Sequence, residues 1–117
     1  MLVGATHTDT SAEAAKVADK LWNLRLMADD EGVMNRSVAD TSGELLVISQ
    51  FTLYGNVEKG RRPSWIDAAR PEQAEPLVDE VVARLRHSGA TVATGTFGAD
   101  MQVHLVNDGP ATLLIEV

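Results

Sequence analysis

The run Leu45-Leu46-Val47-Ile48 constrains this chain more than any other stretch. It is continuously apolar, short and partly β-branched, with Gly43 and Glu44 in front of it. Too short for a helix of its own, it reads as a strand buried on both faces, at the centre of whatever sheet the chain builds. The pattern then changes. Ser49, Gln50 and Thr52 set polar side chains beside Phe51, Leu53 and Tyr54. Polar groups at the mouth of a buried strand can line a pocket, or the strand can simply end in a polar tail, and the pattern leaves both open.

The remaining elements follow from periodicity and capping. Met1 to Ala5 reads as a strand or its tail, needing a partner from elsewhere in the chain. Thr10 with Glu13 three residues on is a capping box. Ala14, Val17, Ala18 and Leu21 then recur at helical spacing, so a helix is predicted over residues 11–23. Leu24 to Met27 reads as a short strand, Asp29-Asp30-Glu31-Gly32 as a solvated turn, Val33-Met34 as the returning strand and Asn35 to Gly43 as a polar loop. The three adjacent acids lack the alternating ligands and distal Glu of a calcium loop. Pro71 suits a first helical turn, with Glu72 and Glu75 near its positive end. Ala74, Leu77, Val78, Val81, Val82 and Leu85 keep helical spacing to a stop at Gly89. Thr91 to Thr94 is β-prone with Val92 inward. Met101, Val103 and Leu105 alternate with Gln102 and His104, a half-buried strand. After the turn Asn107-Asp108-Gly109-Pro110, residues 112–117 read as a last strand.

With 117 residues there is material for one domain, 1–117, around one core. The absence of cysteine removes disulfides and thiolate chemistry and fits a cytoplasmic protein. No apolar run approaches the roughly 20 residues of a membrane helix. The net charge of −7 disfavours non-specific nucleic-acid binding and DNA, while leaving room for a local basic patch. Lys59, Arg61 and Arg62 form the only dense cluster of that kind, in the loop from Gly55 to Pro63. They suit phosphate contact or a plain solvated loop, after which Ser64, Trp65 and Ile66 read as returning towards the core.

Catalytic chemistry is sparse. His7, His87 and His104 are scattered, with no spacing that would hold a metal. No nucleophile elbow, P-loop or dinucleotide fingerprint occurs. The residues alone describe an α/β domain with a polar strand mouth at Ser49–Thr52, one basic loop and a Gly-Pro turn.

Taken in register, several short stretches closely resemble the D-aminoacyl-tRNA deacylase family. They are SQFTLY at Ser49–Tyr54, KGRRPS at Lys59–Ser64, FGADMQV at Phe97–Val103 and NDGPATLL at Asn107–Leu114, with supporting matches at Gly4–Asp9 and Leu21–Arg25. The resemblance implies an α/β (α+β) fold with a mixed, mainly antiparallel, barrel-like sheet and two main helices. It implies a homodimeric hydrolase, without metal or cofactor, that cleaves D-amino acids and mischarged glycine from the 3′ end of tRNA. Ser49, Gln50, Phe51 and Thr52 are carried over as the catalytic stretch, with Thr52 considered as a nucleophile and the terminal 2′-hydroxyl of the tRNA as the favoured assistant. Gly109 and Pro110 would form a Gly-cisPro corner projecting into the neighbouring subunit, where it excludes the side chain of an L-amino acid. Phe97, Ala99 and Met101 resemble pocket-wall positions, and Lys59, Arg61 and Arg62 would hold tRNA phosphates.

Two departures stand out. Ala111 occupies a position where the family usually has Val. Family members also usually begin with further strands before the point matching Met1, so an open sheet edge is expected. Two alternatives accompany the hydrolase: a non-catalytic module binding the tRNA end or amino acid, and an editing domain of the type joined to some archaeal threonyl-tRNA synthetases.

Overall fold

The computed structural model describes residues 1–109 and 111–117. Two strands of the larger sheet flank the central one. β1 (Leu2–Val3) and β5 (Thr91–Thr94) each pair with β4 (Glu44–Ser49), giving the order β1-β4-β5. Both pairings are parallel, with Leu2 opposite Ile48 and Leu45 opposite Val92. Parallel neighbours need a crossover, and helices supply it: α1 (Ser11–Asn23) lies between β1 and β4 in the chain, α3 (Pro71–His87) between β4 and β5. A short antiparallel pair, β2 (Met27–Ala28) with β3 (Met34–Arg36), stands apart. The sheets are thus mixed, as expected, but among the described residues antiparallel pairing is limited to this small ribbon and the isolated Thr6–Ala68 and Asn56–Ser64 bridges, and the β1-β4-β5 sheet is open rather than barrel-like.

The helices form because their caps and apolar stripes agree. α1 starts at the Thr10–Glu13 capping box, the Glu13 carboxylate accepting from the Thr10 N–H at 2.9 Å and from its hydroxyl at 2.6 Å. α3 opens on Pro71 and ends before Gly89, whose φ of +102° is the left-handed exit that glycine takes at least cost. A third, short helix, α2 (Val38–Thr41), lies within the predicted polar loop. Its cap is a second box: the Ser37 hydroxyl accepts from the Asp40 N–H, and the Asp40 carboxylate accepts from the Ser37 N–H at 2.8 Å. Val38 anchors it in the core.

The core lies between the sheet and the α1–α3 layer. Leu45, Val47 and Val92 pack against Ala14, Ala18, Val78, Val81, Val82 and Leu85, with Leu85 fully buried. Only that face of β4 is covered along its length. Leu46, on the other face, is 43% exposed. The expectation of a strand buried on both sides therefore holds at Ile48 and fails at Leu46, because both helices pack on one side.

The largest difference from the sequence reading lies beyond β5. The expected strands over 101–105 and 112–117 are absent: the described residues there form no ladder. Alternation predicts a half-buried strand only where an edge offers backbone partners, and this segment meets none. Leu105, Val106, Leu113 and Leu114 are 73%, 93%, 60% and 75% exposed.

Candidate functional site

The site forms where β4 leaves the sheet. Gln50 donates its N–H to the Val3 carbonyl at 2.8 Å, extending the β1 pairing by one rung. The backbone then turns: Phe51–Tyr54 is a 3-10 helix, where the sequence left open a pocket-lining strand mouth or a polar tail. Gly4 permits the tight passage of β1 beside this turn, since a Cβ there would lie 3.0 Å from the Gln50 carbonyl oxygen. The first N–H groups of a helical turn have no intrahelical partner. None of the backbone bonds tying this turn to the rest of the described chain uses the Phe51 or Thr52 N–H.

A cleft of about 640 Å³ opens at this turn. It is lined by Ser49, Gln50 and Phe51 from the exit of β4 and by Phe97, Ala99 and Met101 from the segment after β5. Its floor is apolar, built from Ile48, Ala5, Ala69, Ala74 and Val78, and its charged members are Arg70 and Asp100. The floor is fixed by bonds from the residues leading into α3 and from its first turn: Ala69 donates to the Ala5 carbonyl at 2.8 Å, and Gln73 Nε2 donates to the His7 carbonyl at 3.0 Å. His7 Nε2 in turn donates to the Ile66 carbonyl at 2.7 Å, so this imidazole is engaged in holding the loop.

Six of the carried-over residues therefore meet in one cleft, while Thr52, Gly109 and the three cations do not line it. Thr52 sits on the exposed side of the 3-10 turn, outside the lining, with its hydroxyl accepting a bond from Gln50 Nε2. No imidazole, carboxylate or amine among the described residues hydrogen-bonds that hydroxyl. Lys59, Arg61 and Arg62 are exposed on the neighbouring loop, which is closed at its base by mutual Asn56–Ser64 backbone bonds of 2.8 Å. Gly109 is exposed and outside the cleft of its own chain, and Pro110 lies outside the described residues.

Trp65 is the main member that sequence reasoning missed. Read as returning to the core, it is instead 43% exposed and lines the cleft beside Phe51. The two rings meet edge to face, centroids 5.5 Å apart and planes at 78°. Ile66, read the same way, is 76% exposed. The available signal was an aromatic residue shortly after a basic cluster, a pairing suited to nucleic-acid ends.

A sequence model of the family described as D-Tyr-tRNA(Tyr) deacylase matches residues 1–116. The chain belongs to this family. It is a hydrolase by that membership. The chain is 61% identical over 116 residues to the D-aminoacyl-tRNA deacylase of Streptomyces avermitilis, covering 99% of this chain and 77% of that protein. It is 57% identical over 116 residues to the one of Brevibacillus brevis, covering 99% and 80%. A solved structure described as c-Myc DNA Unwinding Element Binding Protein superposes with a TM-score of 0.87 at 39% identity, over 94% of this chain and 75% of that one. A second, described as a probable eukaryotic D-amino acid tRNA deacylase, gives 0.76 at 16% identity over 93% and 79%, a likeness of fold. Among the described residues of this deacylase-family chain, no helix is long and apolar enough to cross a membrane.

Proposed function

We propose that this chain hydrolyses the ester joining a D-amino acid, or mischarged glycine, to the 3′ end of tRNA, acting in the cytoplasm as a homodimer. The observation that carries the reading is the meeting of Ser49, Gln50, Phe51, Phe97, Ala99 and Met101 around one cleft in a chain of this family.

In this reading the ester carbonyl sits at the 3-10 turn, where the Phe51 and Thr52 N–H groups stabilise the developing oxyanion. Donors held in place before the reaction need no reorganisation as charge develops. Thr52 lacks a hydrogen-bonded base, which favours assistance by the terminal 2′-hydroxyl over attack by the threonine. Chirality is read by exclusion: the Gly109–Pro110 corner of one subunit enters the other's cleft and occupies the space an L side chain would need. That Gly109 lies outside its own chain's cleft agrees with a donated corner.

The test is amino-acid release from D-Tyr-tRNA, L-Tyr-tRNA and Gly-tRNA. Release from the first and third, with L-Tyr-tRNA spared, is expected. Binding of all three without release would replace the hydrolase with a tRNA-end-binding module. Thr52→Ala should retain activity while a substrate ending in 2′-deoxyadenosine reacts slowly; the reverse pattern would make Thr52 the nucleophile.

A further inference from the structure

The aromatic pair at the cleft has a property the hydrolysis itself does not use. Phe51 and Trp65 are 53% and 43% exposed, although both are large and apolar. They are also held in place. Their edge-to-face contact fixes one ring against the other. The six-membered ring of the indole lies against Gly55, where a Cβ would fall 2.4 Å from Trp65 Cζ3. A side chain already immobilised loses little freedom when a flat partner stacks on it.

What stands next to the pair indicates the partner. Gly55 and Trp65 directly flank the Asn56–Ser64 rung, and the loop closed by that rung carries Lys59, Arg61 and Arg62. Among the described residues none of these three cations is ion-paired. The chain as a whole is acidic, with a net charge of −7. An exposed, rigid aromatic surface continuous with a cationic loop combines the two contacts that an unpaired nucleic-acid end requires, a π-face for the base and positive charge for the phosphates.

Resting on the function proposed above, we propose that Trp65, braced by Phe51, is a stacking platform for the unpaired nucleobases at the 3′ end of the tRNA. Trp65 is then a positioning residue. It carries binding energy from the base to the ester without touching the reacting atoms.

The experiment uses the full chain with D-Tyr-tRNA and, separately, the trinucleotide CCA. Trp65→Leu is expected to raise KM about ten-fold, within the range that one stacked base supplies, with kcat changed less than about two-fold. Trp65→Phe, which keeps a π-face, should recover most of that loss. Titrating CCA into the unsubstituted chain should quench tryptophan emission, and the quench should vanish in Trp65→Leu. An unchanged KM in Trp65→Leu alongside normal activity overturns the platform and leaves hydrolysis standing. Failure of the unsubstituted chain to release D-Tyr overturns the proposed function, and the CCA titration then decides the platform alone. If Trp65→Leu does not fold, Trp65→Phe and the quench in the unsubstituted chain carry the test, with absence of quench counting against it.

Discussion

Trp65 lies so close over Gly55 that no side chain fits beneath it: a Cβ at Gly55 would be 2.4 Å from Trp65 Cζ3 and 3.0 Å from the Thr52 carbonyl oxygen. The contact joins the 3-10 turn of the cleft to the root of the basic loop. Gly55→Ala must therefore displace either the indole or the turn. Overpacking of this kind costs about 1–3 kcal/mol. The expected outcome is a lower denaturation midpoint together with a shifted tryptophan emission. Unchanged emission would mean that the turn, and not the indole, had moved.

Truncation should cost very different amounts in the helix layer that covers one face of β4 and on the face of β4 left uncovered. Leu85 is fully buried in the layer that covers Leu45 and Val47. Leu85→Ala is predicted to destabilise by about 2–5 kcal/mol, through lost transfer energy and the cavity left behind. Leu46, 43% exposed on the uncovered face, should cost less than about 1 kcal/mol when cut to Ala. Equilibrium unfolding of both variants measures the contrast. Equal losses would mean that the second face is covered in solution.

Acid should weaken the fold through its helix caps. The Thr10 hydroxyl, then the Thr10 N–H, hold the Glu13 carboxyl down at about 2 from its ordinary 4.5. Asp40 is lowered by the matching bonds from Ser37, backbone first. Glu80 is lowered by the Ser11 hydroxyl and then by Arg84. A carboxyl whose folded pKa is depressed contributes stability above its unfolded pKa and loses it as pH falls through the folded value. Stability should thus be fully present above about pH 4.5 and decline toward pH 2. Glu13→Gln should reduce that decline when denaturant midpoints are followed against pH.

Local chemistry made much of this fold readable. The bounds of α1 follow from Thr10, Glu13 and the Ala14–Leu21 stripe, and those of α3 from Pro71 and Gly89. Short elements set by a single cap were missed: Ser37 and Asp40 form the same type of box as Thr10 and Glu13, but no apolar stripe follows them to draw attention. The 3-10 turn at Phe51 is not legible in the sequence, because Phe51-Thr52-Leu53-Tyr54 has the composition of a strand. The segment after β5 was misread for a different reason. Alternation reports a preference, whereas a ladder needs an edge, and the edge is a property of the whole assembly of strands.

The site was legible in the same uneven way. Residues 49–51 and 97–101 are about fifty positions apart, and no periodicity joins them; their motif resemblance did, and both stretches line the one cleft. Trp65 escaped notice because an apolar residue after a polar loop is ordinarily a return to the core, and its exposure depends on Gly55 and Phe51 arranging a surface seat for it.

Charge and stacking at the cleft should be separable by salt. Each phosphate neutralised by a cation contributes about 0.7–0.9 to the slope of log K against log salt, because counterions are released. Lys59, Arg61 and Arg62 sit together on one exposed loop. Replacing all three with Ala should weaken tRNA binding at low salt and reduce that slope by about two to three. Trp65→Leu should weaken binding while leaving the slope unchanged, since stacking releases no counterions. Measuring affinity for uncharged tRNA from low to moderate salt distinguishes the two contributions. If the triple variant keeps the original slope, the basic loop is a solvated turn, and the phosphates are held elsewhere on the molecule.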